Sequence, residues 1–273
     1  MKQALVCLVL GLAGGCAKNP PATVSFEGRV GEVAFACGSS FYGVGSTATE
    51  WTPQDFRMYV SHVELIDAAG VSVPLELDAD TPWQVDDVAL LDFEDASGGC
   101  SNGTAQTNAV LTGTAPEGVY TGIRFDIGVS DHLNHQDASV APSPLNLSTL
   151  FWGWEAGYKF MRIDGATTGQ PEGTLFHLGS TGCSADASGE VYTCNAPNRP
   201  QVELTGFDPF RQPILVDLAG LFYGADLDEN ADQTPTGCMS IPTDADCEAP
   251  FSNLGLAFGN AAVPATQNVF RFE

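Results

Sequence analysis

Basic side chains are scarce: 10 Lys and Arg stand against 34 Asp and Glu in 273 residues, a formal charge of −24. A surface so unbalanced repels polyanions, which excludes nucleic acid as a partner, and draws cations or basic protein faces instead. Charge of either sign is thin, 16% of residues against about 25% in ordinary soluble domains. No apolar run reaches the roughly 20 residues of a spanning helix. No segment holds a sustained helical period, which argues against alternating βαβ units. A phosphate loop, a dinucleotide fingerprint and a Cys-x-x-Cys pair are all missing. Nucleotide-binding, zinc-ribbon and thioredoxin-type chemistry therefore lack their signatures.

What is abundant is turn chemistry, with 30 Gly and 17 Pro. Between the turns, short apolar or alternating runs read as strands: Val24 to Phe35, Phe56 to Ile66, Val71 to Leu77, Val88 to Phe93, Ala109 to Thr114, Tyr120 to Gly128, Tyr158 to Asp164, Thr174 to Leu178, Gln201 to Leu204 and Pro213 to Asp217. A short helix is expected near Leu145 to Phe151. Regularly spaced strands without intervening helices predict an all-β fold, an antiparallel β-sandwich with long loops. The longest irregular stretches, Ser130 to Leu150 and Gly224 to Phe251, are where such a scaffold carries function.

Residues 1–15 read as a leader: Lys2, an apolar run from Ala4 to Leu12, then Ala13-Gly14-Gly15-Cys16. The last four residues resemble a bacterial lipobox, in which the cysteine is lipidated. That predicts export, a tether over residues 16–23, a single domain over 24–273, and lipid-anchored residence in the periplasm or at the outer membrane. Cys37, Cys100, Cys183, Cys194, Cys238 and Cys247 remain. An even count in an exported chain reads as disulfides. Cys183/Cys194 and Cys238/Cys247 each close a small loop, which leaves Cys37 for Cys100.

Of the four histidines, His132, His135 and His177 lie close to the most aromatic part of the chain and form a candidate imidazole site for copper or zinc. His62 alternates away from its strand's apolar face and reads as a surface residue. Trp152 and Trp154 flank Gly153, and in an extended segment they share a face. They read either as core packing or as an oxidisable, electron-rich surface. Asp226, Asp228, Asn230 and Asp232 alternate like calcium ligands, without the Gly and distal Glu of an EF-hand.

Taken together, several segments resemble one family. They are Phe56 to Leu65; Leu91-Asp92-Phe93 with Cys100, Gly103-Thr104 and Thr107-Asn108; Gly118-Val119-Tyr120; Asn134-His135 with Pro144-Leu145-Asn146; Phe151-Trp152-Gly153-Trp154 with Gly157 to Phe160; and His177 to Cys183. In this order, from about Val24 to Phe272, they resemble the MbnP-like family, the four-cysteine member of a metallo-mystery pair. The resemblance implies a copper-binding β protein paired with a MauG-like or MbnH-like dihaem enzyme of the cytochrome c peroxidase type. That enzyme oxidises a tryptophan of the WxW motif to kynurenine. Carried over by position, the WxW residues are Trp152 and Trp154 and the matching histidines are His135 and His177. His132 falls outside the match and counts only as a candidate third ligand. Cys37, Cys100, Cys183 and Cys194 fit the four-cysteine description, with Cys238 and Cys247 as an added staple.

The expectation is thus a protein that binds one copper ion and is an enzyme's substrate rather than an enzyme. Its rivals are a structural or adhesive surface lipoprotein without metal, and a copper-dependent redox enzyme.

Overall fold

Strand Pro21–Val30 alternates from its first residue, with Ala22, Val24 and Phe26 turned inward. It starts three residues before the expected Val24, so the end of the presumed tether is part of a sheet: Pro21 pairs with Thr114 and Thr23 with Thr112. Proline is tolerated there because the first residue of a strand can do without an N–H. At its far end Gly31, with φ of 61°, turns the chain back into Val33–Ala34. What the pattern reads as one strand to Phe35 is therefore a hairpin. The computed structural model describes residues 19–79, 81–187 and 192–273; the leader and Cys16, with the lipid-anchor expectation, lie outside them.

Two sheets carry the core. The smaller runs Phe270–Arg271, Ile214–Asp217, Pro21–Val30, Val110–Thr114, Glu76–Leu77. In the larger, the 19-residue strand Thr49–Asp67 lies between Met161–Thr167 and Tyr120–Ile127, flanked in turn by Thr174–Leu178 and Gln201–Thr205. Among the described strands, only Pro21–Val30 and Ile214–Asp217 run parallel; the other ladders are antiparallel, as the fold class predicts. Phe26 from the small sheet meets Phe125 from the large one edge to face at 5.7 Å, and Phe125 meets Phe270 at 5.5 Å. Such perpendicular contacts are favoured by the ring quadrupole and fill the space between sheets.

Two further departures from the expected elements build the site. The helix near Leu145 to Phe151 is a single turn, Ser148–Leu150, after which Phe151 is already extended. The strand expected from Tyr158 to Asp164 is split: Gly157–Tyr158 pairs with Phe151–Gly153, while Met161–Thr167 joins the large sheet.

The disulfides are Cys37–Cys100, Cys183–Cys194 and Cys238–Cys247, the pairing expected. The second spans a hairpin, Thr181–Ala185 with Tyr192–Ala196, that the apolar pattern does not announce. The third holds the segment around Cys238 beside strand Thr174–Leu178, where the His177 N–H donates to the Cys238 carbonyl at 2.9 Å. No described helix is long and apolar enough to cross a membrane.

Candidate functional site

The antiparallel register of Met161–Thr167 against Thr174–Leu178 sets His177 opposite Arg162 and diagonal to Asp164. His177 is 4% exposed, and its Nε2 lies 2.8 Å from Oδ1 of the equally buried Asp164. Burial opposes the charge of Asp164, yet the hydrogen bonds and charges of His177 and Arg162 prevail and hold its carboxyl below the usual range. Burial also pushes His177 below its usual range, against the pull of Asp164. The imidazole is therefore neutral at pH 7, with Nε2–H donating to Asp164 and a lone pair on Nδ1. That Nδ1 is buried and has no hydrogen-bond partner.

An unpaired polar atom costs about 1–3 kcal/mol in such a place. A histidine whose far nitrogen donates to a carboxylate is also the usual arrangement for a metal ligand. Asp164 in turn accepts from Arg162 Nε at 2.7 Å, and Arg162 reaches Asp55 at 3.1 Å. Asp55 is paired with the buried Arg57. The His177 ring is thus the outer end of a buried, alternating row of charges.

Trp152 stands next to it, ring centroids 6.4 Å apart. Its ring rests on the backbone of Gly179, where a Cβ would come within 2.3 Å of Trp152 Cζ3 and 2.8 Å of the Tyr158 carbonyl. Only glycine admits that approach. Trp152 also lines an open cavity of about 430 Å³ with Met239, Ile241, Ser180 and Cys183.

The expectation that Trp152 and Trp154 share a strand face fails. The extended run stops at Gly153, which pairs with Gly157, and Trp154 sits in the connecting turn, 60% exposed. The reason is Gly157, with φ of 79° and no room for a side chain: a Cβ would stand 2.4 Å from Asn134 Oδ1.

Asn134 is the clasp of this hairpin. It is buried, accepts the Tyr158 N–H at 2.9 Å, and sets its Nδ2 3.2 Å from His135 Nε2. His135 Nδ1 donates to the Trp154 carbonyl at 3.0 Å, and Nε2 lies 3.5 Å from Cys194 Sγ. Both expected histidines therefore touch the WxW hairpin, His177 beside Trp152 and His135 at the backbone of Trp154. Among the described residues, no group of three metal-ligating side chains within 4.8 Å contains both.

The structure does not bring His132 to this site. Its Nε2 pairs with Asp86 at 3.0 Å, in a cavity shared with His62. Nor, among the described residues, do the three carboxylates of the calcium-like loop, Asp226, Asp228 and Asp232, form a group within 4.8 Å. Asp228 accepts from Thr47, Thr49 and Gly169, Asp226 caps its own turn, and Asn230 binds Ala231, Thr234 and Gly237. Asp228 ties the loop to the large sheet, while Asp226 and Asn230 brace the loop itself. Sequence reasoning missed Asp164 altogether and left Asn134 without a role; the first required the strand register, the second the hairpin.

A sequence-family model described as MbnP matches residues 19–240. Among solved structures, MbnP from Methylosinus trichosporium is similar, with a TM-score of 0.83 and 32% identity over 94% of this chain and 99% of that one. No curated protein sequence matches.

Proposed function

Because the chain belongs to the MbnP family, we propose that it is an exported copper-binding protein whose site lies between His177, His135 and the WxW hairpin. We also propose that a separate MauG-like dihaem enzyme completes that site by oxidising one of the two indoles to kynurenine. The observation that carries this reading is the buried, unpartnered Nδ1 of His177, 6.4 Å ring to ring from Trp152.

The residues present fit the metal. His177 Nδ1 would supply one imidazole, and His135 Nε2 a second on exchanging its bond to the Asn134 amide. Neutral imidazole suits copper. Cleavage of the indole C2–C3 bond with two peroxides puts one oxygen on C3 as a ketone and one on C2, and hydrolysis then releases C2 as formate, leaving an aryl amine and a ketone where there was a single N–H donor. The tryptophan is thereby turned from a group that cannot ligate into one that can. Copper bound there is cargo, held by side chains of this chain, and the oxidation is the partner's work with peroxide as oxidant. Trp154, 60% exposed at the hairpin tip, is open to a docked haem protein. Lipidation of Cys16 would keep the site at the outer membrane, within reach of a partner in the periplasm.

The test is expression with and without the dihaem partner, followed by peptide mass mapping. Maturation by the partner should convert one tryptophan in the peptide carrying Trp152 and Trp154. Of Trp152→Phe and Trp154→Phe, one should abolish the conversion. An unmodified peptide after exposure to a competent partner, or conversion at Trp51 or Trp83 instead, contradicts the proposal.

A further inference from the structure

A second set of metal-ligating side chains lies away from the tryptophans, on the outer face of the same helical turn that carries Asn134. We propose that His132, Asp86 and Asp87 form a site for a divalent ion of the zinc type, with His62 at its edge against Asp87.

The contacts among these groups are close. His132 Nε2 is 3.0 Å from Asp86 Oδ2, and His62 Nε2 is 3.1 Å from Asp87 Oδ2. Ligand atoms of Asp86, Asp87 and His132 all fall within 4.8 Å of one another. Donors about 2.1 Å from one ion stand about 3.0–3.4 Å apart at neighbouring octahedral or tetrahedral positions, so the His132–Asp86 pair has the separation of two ligands of one ion and Asp87 would close by less than a side-chain rotation to join it.

His62 stands between two carboxylates, with Nδ1 3.1 Å from Asp126 Oδ2 and Nε2 facing Asp87. An Nδ1–H donated to Asp126 would leave Nε2 and Asp87 Oδ2 as a pair of ligand atoms. The outer contacts fit this division: Asp126 is held by Gln201 Nε2 at 3.1 Å, and the other oxygen of Asp87 accepts from Ser130 at 2.7 Å. Such secondary bonds orient metal ligands. Arg199 lines the same cavity, but its charge is met by Asp131.

The donors come from separated parts of the chain, which the fold assembles at a bulge. Between pairs Asp126↔Ser61 and Arg124↔Glu64, strand Thr49–Asp67 carries one more residue than its neighbour. His62 sits there with φ of 50°. Imidazole with carboxylate and no thiolate or thioether favours zinc and similar divalent ions over monovalent copper. This site is therefore chemically distinct from the one beside Trp152.

Calorimetric titration of chelator-stripped, purified mature protein with Zn2+ tests the proposal. The wild type should bind Zn2+, His177→Gln should bind it unchanged, and Asp87→Asn combined with His132→Gln should weaken binding by at least about tenfold. Exposed His132→Gln alone, which should leave the melting temperature unchanged, should weaken binding in the same direction and guards against misfolding of the double variant. Absence of Zn2+ binding by the wild type, full binding by the double variant, or loss of binding in His177→Gln would overturn the assignment. None of these outcomes depends on tryptophan oxidation or on copper.

Discussion

Asp164 has two tasks, one per oxygen: Oδ1 fixes the His177 ring and Oδ2 holds Arg162. Asp164→Asn keeps the shape but removes the charge that selects the tautomer with a free Nδ1. Copper affinity of the matured protein should fall by about 10–100-fold, measured by competition with a chelator of known affinity; an unchanged affinity would mean that Nδ1 is not a ligand.

A second residue-scale prediction concerns Asp92, whose carboxyl is pushed up from 3.8 to about 7 by burial, against the nearby Arg57 charge. A folded-state value above the unfolded one means that the native state holds the proton more tightly. The ionised group thus costs stability, a cost absent below about pH 4 and complete above about pH 7. Its upper bound by linkage is on the order of 4 kcal/mol. Asp92→Asn should gain stability over the wild type in urea melts at about pH 8 and much less at about pH 4. Equal differences at both would show that Asp92 titrates normally.

At the scale of elements, the hairpin Phe151–Gly153 with Gly157–Tyr158 depends on one side chain from another loop. Asn134→Ala removes the acceptor for the Tyr158 N–H and the donor beside His135. A loss of about 1–3 kcal/mol is expected for the unpaired buried groups, visible in denaturant melts and accompanied by weaker copper retention. A neutral substitution would contradict the clasp. Disulfides act at the same scale. Cys37–Cys100 closes 63 residues of separation, and by chain entropy its removal should cost about 4 kcal/mol, against less for the two short loops; equal costs on calorimetric unfolding would contradict this ranking.

Strand Thr174–Leu178 was legible because its apolar run is bounded by turn residues, and it appears with the expected limits. His177 was legible as a candidate for its residue type. Asp164 was not, because its partnership with His177 exists only once Arg162 is set opposite His177 in the ladder. In the sequence the segment carrying Trp152 reads as a single extended face, because side-chain alternation cannot report the turn over residues 154–156, which closes where Gly157 packs on Asn134. The His62 bulge was hidden for the same reason: an extra residue in one strand is defined only against its neighbour.

For the whole molecule, the sandwich acts as a frame whose large sheet delivers His177 at one edge and whose loops bring the WxW hairpin and His135 against it. A net charge of −24 gives this frame a long-range field. A haem partner that docks through a basic face should therefore modify the tryptophan more slowly as salt is added, because screening shortens the field to about 8 Å at physiological ionic strength. A rate independent of salt would assign docking to the apolar tip instead. The central claim, that His177 and an oxidised tryptophan together make the copper site, is tested most directly by copper retention after exhaustive dialysis of protein matured by the dihaem partner. Wild-type protein should keep one equivalent of copper, whereas unmatured protein and matured His177→Gln should lose most of it. Matured wild type that emerges without copper, or matured His177→Gln that keeps a full equivalent, would contradict the account.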